Sequence, residues 1–326
     1  MRKYIVFIVS FFMILSFSCD ENLNDINTDE EGWFQLSTNN EAYLYGIYFI
    51  NENLGYVVGN SGFISSTRTG GITWVDQNSG VTNDLNSVFF LNENTGYIVG
   101  EEGIVIKTSD GGFNWNVQTS GVTENLESVS FIDEDIGYIV GYNGVILKTI
   151  DGGNNWNALI SGYSNNLHSV SFTDLNTGYT VGEDGIILKT SDGGVNWELQ
   201  NFKENAHLFS VCFPVADTGY AVGGSFVSES NILKTVDGGD TWTEIERFED
   251  FYRSVYFVDS KIGYIVCSKL PTISNASIIK TVDGGNTWVG QDSSVGSLRS
   301  VYFVNADIGF AISQNIIIKT TDGGGN

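Results

Sequence analysis

A nine-residue element, Lys-Thr-x-Asp-Gly-Gly-x-x-Trp, recurs along the chain and constrains the fold more than any other feature. Successive copies of its tryptophan are separated by 41, 41, 41, 41, 45 and 46 residues. Repeats of this length indicate one supersecondary unit used many times, because a single unit of this size cannot bury its apolar surface alone. The tryptophans are Trp33, Trp74, Trp115, Trp156, Trp197, Trp242 and Trp288.

Each unit contains short runs rich in Val, Ile, Phe and Tyr, separated by Gly, Asn and Asp. We predict four strands per unit: A over "SVFF", B over "GYIVG", C over "GIVIKT", and D from the tryptophan onward. The runs are apolar at consecutive positions, which predicts small sheets buried on both faces. Four strands every ~40–50 residues, with Gly and aromatic signatures, are typical of β-propeller blades, whereas the coils of a β-solenoid, the main alternative, are shorter.

The motif Thr-x-Asp-x-Gly-x-x-Trp resembles the Asp-box, or BNR repeat, of sialidases, Vps10-type receptors and several glycosidases. The whole unit, for example "GYIVGEEGIVIKTSDGGFNW", looks more like the repeats of the photosystem II stability/assembly-factor propellers and their bacterial relatives. The resemblance covers residues 33–326. It implies a propeller that assists a membrane-protein complex, although no residue here points to photosystem II itself as the partner.

The two ends of the repeat region complement each other. The last unit stops at Asn326, one residue before a tryptophan is due, while Trp33 lies 22 residues before Gly55, as Trp74 does before Gly96. We therefore predict that the N-terminal strand Trp33–Leu36 completes the last blade. The result is an all-β, seven-bladed β-propeller of four-stranded blades over residues 33–326. A truncated sequence that lacks a further tryptophan is the alternative.

The Asp-Gly-Gly motif admits two interpretations, a metal or phosphate site and a turn. A calcium loop needs several acidic ligands at alternate positions, and here one Asp stands alone in each copy. We interpret the motif as a turn between strands C and D whose carboxylate accepts N–H groups of its own turn. No metal and no cofactor are expected, and the motif's lysines are expected to pair with acidic A–B loops. The structural aspartates are Asp110, Asp151, Asp192, Asp237, Asp283 and Asp322.

The N-terminus carries a targeting signal. A basic start precedes an apolar run of 14 residues, Tyr4 to Phe17, which is shorter than the ~20 residues of a membrane-spanning helix. The run and the following Cys19 resemble a bacterial lipoprotein signal in the looser form of Bacteroidota. This resemblance implies a signal peptide over 1–18, lipidation at Cys19, and an acidic tether over 19–32. The protein would then be extracytoplasmic and anchored to the outer membrane, facing the periplasm or the cell surface; a plain secretory signal is the alternative.

The charge balance is strongly acidic, with 15 Lys and Arg against 39 Asp and Glu. A net charge of −24 disfavours nucleic acids and anionic membrane surfaces. We therefore expect no nucleic-acid partner, and membrane contact only through the lipid anchor. Cys212 and Cys267 are expected to be two buried thiols rather than a disulfide.

The residue before each predicted strand A breaks the repeat while its neighbours keep it. Antiparallel connectivity places these positions near the mouth of the central channel, on the face of the D–A and B–C loops. The long B–C loops of blades five and six and most spare basic residues map to the same face. We predict a binding rim there, with a merely tolerant surface as the alternative. Its candidate residues are Tyr45, Asn86, Glu127, His168, Phe209, Arg247, Arg253, Lys269 and Arg299.

Catalytic signatures are scarce. The chain has two histidines, His168 and His207, and no zinc-protease, α/β-hydrolase or P-loop motif. Sialidases use an arginine triad and an early Arg-Ile-Pro element, whereas this chain has no Arg between Arg2 and Arg68. We predict a non-catalytic binding or assembly scaffold with a protein or membrane-protein complex as its partner. A surface glycan-binding protein or glycosidase is the alternative, because two of the 39 acidic residues would suffice for glycoside hydrolysis.

Overall fold

The computed structural model describes residues 32–36, 41–200, 207–225, 228–248, 251–268 and 277–325. Over these residues the chain forms seven sheets of four antiparallel strands, so the predicted all-β, seven-bladed propeller is confirmed. The predicted signal peptide, Cys19 and nearly all of the tether lie outside the described residues. No helix among the described residues has the length and apolar character needed to cross a membrane.

The strands of each blade follow chain order from the channel outward, and the innermost strands, A, contact one another around the ring. The first strand, β1 (Trp33–Leu36), belongs to blade seven. The strands of blades one to four, in order A to D, are β2 (Leu44–Phe49), β3 (Gly55–Gly59), β4 (Ile64–Thr67), β5 (Val75–Gln77); β6 (Leu85–Phe90), β7 (Gly96–Gly100), β8 (Val105–Thr108), β9 (Asn116–Gln118); β10 (Leu126–Phe131), β11 (Gly137–Gly141), β12 (Ile146–Thr149), β13 (Asn157–Leu159); and β14 (Leu167–Phe172), β15 (Gly178–Gly182), β16 (Ile187–Thr190), β17 (Glu198–Gln200).

The remaining blades follow the same order. Their strands are β18 (His207–Val215), β19 (Thr218–Ser225), β20 (Ser228–Thr235), β21 (Thr243–Phe248); β22 (Phe251–Phe257), β23 (Gly263–Ser268), β24 (Ile278–Thr281), β25 (Val289–Gln291); and β26 (Ser300–Phe303), β27 (Gly309–Ile312) and β28 (Ile317–Thr320) with β1 as strand D. Short 3₁₀ turns join strands B and C in blades one to four: Asn60–Gly62, Glu101–Gly103, Tyr142–Gly144 and Glu183–Gly185.

Four predicted boundaries were wrong. Strand C of blade two begins at Val105 rather than Gly103, because Glu101–Gly103 forms a 3₁₀ turn. Strand A of blade two begins at Leu85, two residues before "SVFF", because it continues through a β-bulge. Strand D begins at Val75, one residue after Trp74, because that tryptophan still belongs to the turn. The insertion in blade five was predicted as a long B–C loop. It instead extends strands β19 and β20, which are eight residues long each.

Neighbouring blades pack through a pair of stacked rings. The tyrosine of strand B in one blade lies on the phenylalanine of strand A in the next, as Tyr97 does on Phe131 with ring centroids 4.0 Å apart. The glycine before each tyrosine lies under the phenylalanine of its own blade, and a Cβ added at Gly96 would be 2.5 Å from the Phe90 ring. Strand B is buried along its whole length in blades one to four, so the prediction that both faces are buried holds for this strand. It is wrong for strand D, whose residues are mostly exposed because no further strand covers the outer edge.

The same tyrosine also ties the blades together through hydrogen bonds. Tyr97 Oη and Lys107 Nζ both donate to the carbonyl oxygen of Gly152 in the next Asp-box, at 2.8 and 2.6 Å. The expectation that these lysines pair with acidic A–B loops was therefore wrong. Lys107 lies opposite Tyr97 in the strand register and extends in the same direction, so it reaches the same carbonyl. Burial raises the pKa of Tyr97 to about 12, which keeps the hydroxyl protonated as a donor.

The Asp-box forms a closed turn in which the carboxylate bonds to its own segment. Asp110 accepts hydrogen bonds from Thr108 Oγ1 and the Asn114 backbone N–H at 2.9 Å and from Asn114 Nδ2 at 2.7 Å. These bonds, led by the Asn114 side chain, hold the pKa of Asp110 below its usual value. Gly111 and Gly112 have φ of 70° and 83°, a region that favours glycine.

The N-terminal strand closes the ring as predicted. β1 pairs antiparallel with β28, and Trp33 lies opposite Thr320. Trp33 packs edge-on against Phe303 with centroids 5.7 Å apart and donates from Nε1 to Gln291 Oε1 at 2.9 Å. Trp33 is only 7% exposed, comparable to Trp115, Trp156 and Trp197 inside continuous repeats.

The seventh Asp-box is assembled from two distant parts of the chain. The backbone N–H of Gly32 donates to Asp322 Oδ2 at 2.9 Å. Gly32 immediately precedes Trp33, as Asn114 precedes Trp115, and it likewise donates its N–H to the turn's carboxylate. The closure therefore reproduces the internal repeat in its hydrogen bonds as well as in its strand pairing.

This closure predicts equal costs for two tryptophan truncations. Trp33→Ala should lower the free energy of unfolding by about 3–5 kcal/mol, as should Trp156→Ala inside a continuous blade, because both rings are buried and pack edge-on against a strand-A phenylalanine. Denaturant unfolding of both variants measures this. A Trp33→Ala cost well below that of Trp156→Ala would contradict the latch.

Candidate binding site at the channel mouth

The predicted rim residues are positioned by a β-bulge that recurs in the inner strands. In blade two Leu85 pairs with Gly100 and Ser87 with Val99, so Asn86 has no residue opposite it. A bulge of this kind redirects the extra side chain. The prediction placed these residues before strand A; six of them in fact lie inside it. The bulge residues are Tyr45, Asn86, Glu127, His168, Phe209 and Arg253.

The structure brings these six residues and Arg299 together around one cavity of about 200 Å³ at the channel mouth. We call these seven residues the mouth ring. The next residue in each inner strand, a serine in six blades, also lines the cavity. Ser169 Oγ accepts the backbone N–H of Val211 in the following blade at 3.2 Å. Such bonds hold adjacent inner strands together and fix the spacing of the mouth ring.

Both arginines of the mouth ring lie against aromatic rings. The guanidinium carbon of Arg299 is 4.1 Å from the centre of the Tyr45 ring. That of Arg253 is 4.4 Å from Phe251 and 5.1 Å from Phe209. Burial lowers the pKa of Arg253, and the positive charge of Arg299 lowers it further. Arg253 Nε donates to Ser268 Oγ at 3.3 Å. Stacking fixes each guanidinium plane, and a guanidinium held in this way suits a planar anion such as a carboxylate.

Burial shifts the pKa values of Glu127 and His168, two further titratable residues of the mouth ring, toward the neutral form. Burial raises the pKa of Glu127 to about 7, with the charge of Arg299 opposing the shift. Asn86 Nδ2 lies 3.4 Å from Glu127 Oε1. Burial lowers the pKa of His168 to about 4, so its imidazole is uncharged at neutral pH. The mouth ring thus carries two permanent positive charges in blades six and seven and one carboxylate that titrates near neutrality in blade three.

A second cavity, of about 240 Å³, adjoins the first on the same face. Tyr45, Arg253 and Arg299 line both cavities, so the arginines stand where the two meet. The second cavity continues past Leu298 and Gln314, between blades seven and one. Sequence reasoning missed this extension. The signal that could have found it is the B–C connection of blade seven, which is one residue shorter than in blades two to four.

Two predicted rim residues fall outside this description. Arg247 lies on β21, the outer strand of blade five, and its side chain is not described. Lys269 and the long loop of blade six lie in 269–276, outside the described residues. Cys212 and Cys267 are not joined by a disulfide, and Cys212 is only partly buried. Among the described residues, no group of three or more His, Cys, Asp or Glu side chains is arranged to hold a metal ion.

Solved structures with this fold include two of the YCF48 protein. One, described as YCF48 bound to D1 peptide, matches with a TM-score of 0.73 and 20% identity over 90% of this chain and 96% of the other. YCF48 from Cyanidioschyzon merolae matches with a TM-score of 0.71 and 20% identity over 89% of this chain and 98% of the other. At these identities the likeness establishes the fold alone.

A glycoside hydrolase shares the fold at lower identity. The GH74 enzyme of Niastella koreensis matches with a TM-score of 0.74 and 16% identity, covering 91% of this chain but 55% of the enzyme. This chain therefore corresponds to about half of that protein.

Sequence comparison identifies the family. No curated protein gives a significant match to the whole sequence. The family model for photosynthesis system II assembly factor YCF48 matches residues 26–119, 114–198 and 159–251, which together span more than half of the chain. The chain belongs to the photosynthesis system II assembly factor YCF48 family.

Proposed function

We propose that this protein is a non-catalytic scaffold that binds an acidic segment of a partner protein at the channel mouth and thereby assists a membrane-protein complex. One observation carries the proposal: two cavities meet at a pair of arginines stacked on aromatic rings. Family membership supports an assembly role, and a relative solved with a bound D1 peptide supports a polypeptide ligand.

The shape and chemistry of the site favour an extended peptide. The cavities adjoin rather than form one deep pocket, so a chain could lie across both while its carboxylate meets the arginines. Tyr and Arg are enriched among the residues that dominate protein interfaces, and here Tyr45, Arg253 and Arg299 lie at the centre of the site. A negatively charged segment also complements the positive pair within an otherwise acidic protein.

The glycosidase alternative has less support at this site. Glycoside hydrolysis generally needs two carboxyl groups flanking the scissile bond. Glu127 is the one carboxylate among the seven side chains of the mouth ring, and the adjacent carboxylate of Asp84 accepts a hydrogen bond from Tyr45 Oη at 3.2 Å. The GH74 neighbour shares the fold at 16% identity, which carries no argument about activity.

Charge reversal tests the proposed site. The probes are acidic peptides selected from a display library against the native propeller. Arg253→Glu combined with Arg299→Glu should weaken their binding by about a hundredfold or more, because two favourable charge contacts become repulsive. Calorimetric titration measures the affinity, and circular dichroism checks the fold. Unchanged binding, or loss only on substitution of the Asp-box face, would place the site elsewhere.

Glu127→Gln provides the matched control on the opposite side of the mouth ring. Because the pKa of Glu127 is raised to about 7, the native carboxyl is neutral below that pH and charged above it. Affinity for an acidic peptide should therefore fall in the native protein as pH rises through about 7 and stay nearly constant in Glu127→Gln. An identical pH profile in both proteins would contradict this account of the mouth.

We also propose that the propeller is exported and held at the outer membrane through a lipid on Cys19. The support is the apolar run that ends just before this cysteine and the acidic stretch that follows it. Cys19→Ser should move the protein from the membrane fraction to the soluble extracytoplasmic fraction and abolish labelling by a fatty-acid analogue. Unchanged membrane partitioning would refute lipid anchoring while leaving the peptide-binding proposal intact.

A further inference from the structure

The interface between blades seven and one departs from the other six. Strand C of blade one carries Ser65 at the position where every other blade has a branched aliphatic residue. In blade two that residue is Ile106, which packs in the core shared with blade one. Ser65 faces blade seven in the same way, since it lines a cavity together with Ile317. The aliphatic residues are Ile106, Leu147, Leu188, Leu233, Ile279 and Ile318.

A pocket of about 340 Å³, which we call the seam pocket, lies between the two blades, and Ser65 forms part of its lining where the other blades carry a larger aliphatic side chain. Its volume falls within the range typical of small-molecule sites, which starts at roughly 300 Å³. Most of its lining is apolar, with two aromatic rings. The apolar residues that define it are Leu44, Val57, Phe63, Trp74 and Ile317.

Two polar groups in this lining lack a partner, the Ser65 hydroxyl and the Trp74 indole N–H. Ser65 is 2% exposed, and its hydroxyl oxygen is buried with no hydrogen bond. Buried hydroxyls are almost always paired, because leaving one unpaired carries a desolvation cost that nothing offsets. The indole Nε1 of Trp74 is also buried without a partner, but four other repeat tryptophans share that property, so the Ser65 hydroxyl is the stronger indication of a ligand.

We propose that the seam pocket binds a small, neutral aromatic molecule that carries one hydrogen-bonding atom, such as a phenol. Its ring would lie among Phe63, Trp74 and Ile317, and its polar atom would pair with Ser65 Oγ. Asp76, opposite Ser65 in the strand register and part of the lining, disfavours an anionic ligand. This inference rests on the seam alone and does not depend on the function proposed for the channel mouth.

The test uses p-cresol and toluene as probes, which differ by one hydroxyl group. The native protein should bind both at millimolar concentrations, with p-cresol tighter by about three- to tenfold because of the hydrogen bond. Ser65→Ala should keep both probes but reduce this ratio to near one. Ser65→Ile, which restores the repeat, should abolish binding of both and raise the melting temperature. Protein NMR titration measures the affinities.

Ser66→Ala is the matched control. Ser66 is the next residue on β4, does not line the seam pocket, and accepts a hydrogen bond from Gln77 Nε2 at 3.0 Å. This variant should bind both probes as the native protein does. No saturable binding by the native protein, or p-cresol binding that survives Ser65→Ile, would overturn the proposal. If Ser65→Ile does not fold, Ser65→Val serves as the smaller filling variant. An undiminished preference for p-cresol over toluene in Ser65→Ala would also contradict the proposal by itself.

Discussion

The hydrogen bonds to one backbone carbonyl in each Asp-box hold the propeller together. Between blades three and four, for example, Tyr138 Oη and Lys148 Nζ donate to the Gly193 carbonyl oxygen at 2.8 and 2.7 Å. That carbonyl is oriented by a turn that two glycines at positive φ and one carboxylate make rigid. The motif thus acts as a joint between blades, and its repetition positions each blade relative to the next one in the ring.

The joint between blades seven and one lacks two of its repeated side chains. Blade one has Thr69 in place of the Asp-box aspartate, and blade seven has Phe310 in place of the tyrosine. Phe310 stacks on Phe49 at 3.6 Å but has no hydroxyl to donate, so Lys319 alone reaches the Gly70 carbonyl, at 3.0 Å. Strand β1 joins the start of the chain to its last blade. The repeat also departs at Ser65, which lines the seam pocket at the same interface.

The fold could be predicted from the sequence because each blade repeats the same solution. The tryptophan spacing alone predicted that Trp33–Leu36 completes the last blade. The bulge at Asn86 was missed, although the buried residues Leu85 and Val88 are three positions apart and so break the alternation of a regular strand. The partner of Lys107 was missed because it is a backbone oxygen of another blade, which no sequence pattern identifies. Ser65 was visible as a break in strand C, but its meaning depends on what faces it across the seam.

Native-state hydrogen exchange of the β1 amides tests most directly whether the ring closes as one cooperative unit. Amides of β1 that pair with β28 should exchange with the same free energy as those of β12, at the centre of a continuous blade, because both would open only in global unfolding. Exchange of β1 at a much lower free energy, with β12 still protected, would show that the N-terminal strand is a peripheral addition and that the propeller is held closed without it.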